Sequence, residues 1–323
     1  SVSSTSFYNL NITGTSTVYG SVTTTNILTV SGVLNAGTST ITLTSSSVPF
    51  VNNGTFNANT STVIYSGTTA SIASTTYYNL TIDSTGTSTI VGTTDATNNL
   101  TINSGKKLDL ANVTTTINGN ILNSGTLISS GNVPLWMAGV SKTLGGTGTT
   151  SLYSLAIVAS TTFSGNISVS YLLTVADTVS LNGGSSTITL SGTGTPFSLN
   201  STGVFNPGTS NVIFSGATAN IVSTTYYNLT VNNGTAGNLM GSTTVSNVLT
   251  VNAGKTINAG ENQLTLSGGG IPLVVNGTFN ANTSTVVYSS TPVTMASTTY
   301  YNLTVNSSGT AYIGSSNGGV SST

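Results

Sequence analysis

Nine of the chain's 323 residues carry a charge: Lys106, Lys107, Lys142 and Lys255 against Asp83, Asp95, Asp109, Asp177 and Glu261. Acid and base catalysis needs titratable groups held close together. The one mixed cluster is "GKKLDL", with Lys106, Lys107 and Asp109, and its plain reading is a solvated turn and strand edge. Histidine, arginine and cysteine are absent, so an imidazole base, a Ser-His-Asp triad, a thiol nucleophile and a zinc ligand set all lack their parts. Asp83, Asp95 and Asp109 stand a dozen or more residues apart, unlike the clustered carboxylates of a calcium loop. A polysaccharide-acting enzyme would need paired carboxylates beside cations and is a distant alternative. So is an isopeptide crosslink using Lys255 and Glu261. Four lysines against five acids cannot displace the counterions of a nucleic acid. The expectation is therefore no catalytic residue, no cofactor and no metal ligand.

What remains is a scaffold. Serine and threonine number 50 and 65, asparagine and glycine 37 each, yet 37% of residues are hydrophobic and many alternate with polar ones, enough for a packed core rather than disorder. No apolar run reaches the roughly 18 residues of a membrane span. Cysteine usage does not fix a redox compartment. A chain this poor in charge is ill suited to free diffusion in a crowded cytosol and better suited to an anchored or assembled state.

The sequence repeats. "STSFYNLNI" from Ser4, "STTYYNLTI" from Ser74 and "STTYYNLTV" from Ser223 and Ser297 share one pattern; with Ser154 the marks fall at 9, 79, 154, 228 and 302. This gives superrepeats over approximately 5–74, 75–149, 150–223 and 224–297, with a partial unit at 298–323. Period-two alternation broken by Gly, Asn and Ser-Gly predicts strands and turns throughout. Apolar pairs recur at short intervals, as from Leu10 and Ile12 to Leu28 and Val30, and from Leu80 and Ile82 to Leu100 and Ile102. That recurrence predicts an all-β parallel β-helix whose coils stack like on like, with Thr, Ser and Asn ladders. About three coils per superrepeat and thirteen in all would make one elongated domain over 1–323, roughly 60 Å long. Tandem β-sandwich domains are the alternative.

The element "NGTFNANTSTVIYSG" from Asn53, with Gly54, Phe56, Val63 and Gly67, returns from Asn276 almost letter for letter. It resembles the short Asn-Gly-Thr-apolar repeats of filamentous-haemagglutinin and autotransporter-passenger proteins. That resemblance implies a right-handed parallel β-helix at a bacterial surface, where many members act in adhesion.

Strict alternation places Tyr78 on the core face with Leu80 and Ile82, and likewise Tyr8 and Tyr301 in their copies. The first aromatic then faces outward: Phe7, Tyr77, Tyr226 and Tyr300, with Leu152 in the third copy. These residues form either local packing against a turn or a regularly spaced contact stripe, one ring per superrepeat. The second superrepeat is irregular over 103–150 and holds the single tryptophan, Trp136, with Lys106 and Lys107. Trp136 is either a contact residue there or core at a kink. Fourteen Asn-x-Ser/Thr sequons match chance in so hydroxyl-rich a chain, and carry no signal of glycosylation. Thr38, Thr40 and Thr42 suggest an ice-binding face, again at a frequency expected by chance. Neither end shows a polar cap, so either the segment comes from a longer repetitive protein or copies stack head to tail into a filament. The expected role is a structural protein of an extracellular filament, stalk or surface layer, with a glycan- or host-binding adhesin as the alternative.

Overall fold

The computed structural model describes residues 1–314. Among them are 37 strands and no helix, so none is long and apolar enough to cross a membrane. Every strand ladder recorded among them is parallel, as a solenoid requires and a hairpin-built sandwich does not allow. The protein is a parallel β-solenoid. It falls into two compact units, Ser1–Ile167 and the residues from Ser168 onward, a division inside the 150–223 superrepeat.

Within the first unit one inward column runs Val22, Ile41, Val63, Leu80, Leu100, Ile121, Leu144, Phe163, one residue per coil and each at most 1% exposed. The coils differ in length: the shortest step runs from Val63 to Leu80 and the longest from Ile121 to Leu144. In the second unit the column Ile188, Val212, Leu229, Leu249, Leu273 does the same work. Burying a Leu or Ile in such a column is worth about 1.5–3 kcal/mol. That gain, repeated on every rung, lets strands of three or four residues persist.

Outside the core, asparagines ladder between coils. Asn258 Nδ2 donates to Asn238 Oδ1 at 2.7 Å and Asn280 Nδ2 to Asn258 Oδ1 at 2.8 Å; Asn57 to Asn35 and Asn98 to Asn79 repeat the bond at 2.8 and 2.9 Å. Coils turn at "NAGT", "NANT" and "NPGT", whose third residue is left-handed: Gly37 at φ 60°, Asn59 at 49°, Gly208 at 56° and Asn282 at 49°. Glycine adopts that conformation freely and asparagine tolerates it best among the others.

Two expectations change here. The chain makes about 16 turns rather than thirteen, because a superrepeat is not three coils. In the first unit Leu10 stacks on Leu28, but its repeat equivalent Leu80 belongs to the column of Val22, six residues earlier on the same strand, Thr15–Val30. The third equivalent, Leu155, stacks on Leu135 and Thr115, a column that continues to Thr94, six residues before Leu100. The second unit repeats the drift: Leu229 pairs with Leu249, whereas Leu303 follows Val286 and Leu264, which pairs with Thr243. Each superrepeat thus spans a fraction less than four coils. Within each unit equivalent residues land on successive sides of the coil, so they do not stack in one column.

Candidate contact surface

The paired tyrosines divide the opposite way from strict alternation. In Thr76–Ile82 the inward residues are Tyr77, Leu80 and Ile82, each fully buried, while Tyr78 and Asn79 both face out. The strand turns a corner there, and the ladder registers it as a bulge: Tyr77 pairs with Ala96 but Asn79 with Asn99. Tyr226 with Val245 and Asn228 with Val248 show the same shift. One extra residue at a corner reverses the facing of everything before it. Tyr77 and Tyr226 are therefore core rather than contact residues, Tyr300 is half-buried in the equivalent place, and Phe7 is in register with the buried Thr24.

The inward tyrosine closes an aromatic corner. Tyr77 lies 6.2 Å from Phe56 and 6.3 Å from Tyr65; Tyr226 keeps these distances to Phe205 and Phe214, and Tyr300 lies 6.3 Å from both Phe279 and Tyr288. Hydroxyls complete a closed circuit. Ala73 N donates to Tyr65 Oη (3.2 Å), Tyr65 Oη to Tyr77 Oη (2.7 Å), and Tyr77 Oη to Ala73 O (3.0 Å). This orientation gives each hydroxyl one bond donated and one accepted. Ala296, Tyr288 and Tyr300 repeat it. Where Phe214 replaces the first tyrosine, Tyr226 still donates to Val222 O at 2.9 Å. Burial pushes the Tyr65 phenol up to about 12 against the pull of its two bonds. It raises Tyr77 further, with the Tyr65 phenol adding to the effect, and raises Tyr226 as well.

The outward tyrosine is the second one. Tyr8 and Tyr301 are 71% and 63% exposed, and Tyr78, Tyr153 and Tyr227 are half-buried. A signal for this existed in the sequence: the second position is Tyr in all five copies, while the first varies as Phe7, Tyr77, Leu152, Tyr226 and Tyr300.

Trp136 is not core. On the strand Pro134–Met137 it stands outward between Thr116 and Ala156, 40% exposed, and Met137 fills the interior beside it. Lys106 Nζ lies 3.9 Å from Asp83 Oδ1, and Lys107 projects half-buried from Lys107–Asp109. Trp136 and Lys107 lie on different strands, Lys106 precedes the strand of Lys107, and no recorded bond joins the ring to either lysine.

The aspartates serve as staples between coils. Asp109 Oδ1 accepts from Ala111 N (2.8 Å) and Ser130 N (3.0 Å), and Asp95 takes Asn118 N (3.0 Å) and Nδ2 (2.7 Å). Asp177 accepts from Thr202 N (3.1 Å) and Ser201 Oγ (3.0 Å), and these bonds hold its carboxyl below the ordinary range. No group of three candidate metal ligands occurs among the described residues.

Leu303 and Val305 are 43% and 44% exposed, although the column partners below them, Val286 and Tyr288, are fully buried. Beside them a cavity of about 410 Å³ opens against Phe279, Ala281, Asn282 and Tyr300. No family model, curated protein or solved structure matches the chain.

Proposed function

We propose that the chain is a structural repeat protein of an extracellular filament, stalk or cell-surface layer, in which coils of one copy stack on coils of the next. The like-on-like stacking of coils carries this reading: Leu80 lies on Leu100 in the core and Asn258 bonds to Asn238 outside it, in a chain with nine charged residues. A coil that stacks on its like within the chain offers the same backbone and apolar pattern to a coil of a neighbouring copy, and we assign the assembly to such contacts. A contact between unlike ends does not close and propagates as a filament. Scarce charge and the asparagine ladders favour such packing. The resemblance of the Asn-Gly-Thr element to surface-exported β-helices agrees with an extracellular setting.

Negative-stain images and sedimentation of the concentrated protein test this. Uniform fibres are expected. Discrete particles of the unaltered chain would overturn the proposal. A second reading, adhesion to surface glycans, is favoured by the outward Trp136 ring. It requires saturable glycan binding that Trp136→Ala weakens.

A further inference from the structure

Five Asn-Gly pairs lie among the described residues: Asn53–Gly54, Asn118–Gly119, Asn182–Gly183, Asn233–Gly234 and Asn276–Gly277. Before glycine, with no side chain in the way, the following backbone nitrogen reaches the asparagine side-chain amide most easily. Closure needs two things: a glycine N–H that is not engaged, and an asparagine amide free to swing over it. Three of the pairs lack both. Gly119 N donates to Ala96 O (2.8 Å) while Asn118 Nδ2 is held by Asp95 (2.7 Å). Gly183 N donates to Asn206 O (2.8 Å), and Asn182 Oδ1 accepts from Asn206 Nδ2 (2.9 Å). Gly234 N donates to Gly216 O (2.9 Å), and the fully buried Asn233 gives its Nδ2 to the same oxygen (3.2 Å).

Asn53 and Asn276 differ. Both are exposed, neither side chain is hydrogen-bonded, and the amides of Gly54 and Gly277 meet no acceptor among the described residues. The flanking amides are fixed: Asn53 N to Val30 O (2.8 Å) and Thr55 N to Gly32 O (2.9 Å), and Asn276 N to Val251 O (2.9 Å) and Thr278 N to Lys255 O (2.8 Å). Each reactive pair thus has an unengaged amide and an unengaged side chain between two anchored residues, at the same place in two superrepeats.

We propose that Asn53 and Asn276 are self-modifying sites that convert to aspartate and isoaspartate in the folded protein. The Gly54 nitrogen attacks Asn53 Cγ, the bond from Cγ to the side-chain nitrogen breaks, and that nitrogen leaves as ammonia with the proton given up by the backbone amide. Water then opens the cyclic imide at either carbonyl, so the net change is asparagine plus water to a carboxylate product plus ammonia. Gly277 and Asn276 follow the same course. Each event adds one negative charge, so completion at both sites takes the net charge from −1 to −3. On so neutral a surface this is a built-in record of age and a brake on side-by-side packing.

Incubation of the whole folded chain at mildly alkaline pH, followed by peptide mass mapping, tests the proposal. Asn53 and Asn276 should convert at least about tenfold faster than Asn118, Asn182 and Asn233, equivalent to about 1.4 kcal/mol of opening that the held pairs require. In denaturant the five rates should converge. Isoelectric focusing should show two early acidic steps that disappear in the Asn53→Gln, Asn276→Gln double variant. Equal rates at all five sites in the folded chain, or faster reaction at any of the three held pairs, would overturn it.

Discussion

Tyr77→Phe removes one oxygen atom and no ring packing, which makes it a clean probe of the hydroxyl circuit. The lost hydroxyl leaves the Tyr65 proton without an acceptor and Ala73 O without its donor, in a corner where both rings are fully buried. With about 1–3 kcal/mol for each buried group left unpaired, the cost should be about 2–6 kcal/mol. Tyr65→Phe strands only the Ala73 amide, since Tyr77 keeps its bond to Ala73 O, and should cost about 1–2 kcal/mol. The double variant should be less damaging than the sum, because the Tyr65 hydroxyl that Tyr77→Phe orphans is gone as well. The chain itself carries the second substitution at Phe214, whose ring sits 6.3 Å from Tyr226 as Tyr65 does from Tyr77. Phe214→Tyr should therefore stabilise its corner by about 0.5–1.5 kcal/mol. Denaturant unfolding combined with amide exchange at Ala73 and Val222 reads these effects locally, which matters because a long repeat array need not unfold in one step. A Tyr77→Phe variant within about 0.5 kcal/mol of the parent, or a Tyr65→Phe variant equally costly, would refute the circuit.

Alkali should unfold the protein. Tyr65, Tyr77 and Tyr226 bind their protons more tightly when folded than in the unfolded chain, so the stability they confer is complete below about pH 10 and falls as pH rises from there, through about 12 for Tyr65 and further up for the other two. Each such group steepens the fall by up to about 1.4 kcal/mol per pH unit. Without histidine, stability should be level between about pH 6 and 9; melting temperatures across the full range check both statements, and a level profile above pH 11 or so contradicts the first. Asn258→Ala breaks two ladder bonds at once and should cost about 1–2 kcal/mol by denaturant titration, more than Asn57→Ala, which breaks one. Trp136→Ala should leave stability within about 1 kcal/mol, because the ring lies on the outer face; a loss of about 3 kcal/mol or more would mean that it is packed as core.

Much of the architecture is legible in the residues. Strand-and-turn content follows from the alternation in "TITL" and "TVIY". Stacking follows from apolar pairs such as Leu80 and Leu100, which do occupy one column. The interplay of coil and repeat was hidden, because the interval from Leu10 to Leu80 looks like three coils until the register of those two leucines is known. The contact residues were the least legible. Alternation carried through "YYNL" assigns Tyr77 to the surface, since nothing in four letters marks the corner between Tyr77 and Leu80. The five-fold retention of the second tyrosine was visible and pointed the other way.

By itself the sequence determined strands and turns throughout, a core of Leu, Ile, Val, Phe and Tyr, a hydroxyl and amide exterior, and few groups able to titrate; the parallel stack was its leading reading beside tandem sandwiches, and the parallel ladders decided between them. Those properties depend on residue type and period, which are local. Tertiary structure decided which tyrosine is inside, which asparagine amides are held and which are free, and where each repeat faces. These depend on how many residues each coil needs to close and on where its corners fall. Closure is a condition on the whole turn, and one added residue at a bend reverses the side chains that precede it.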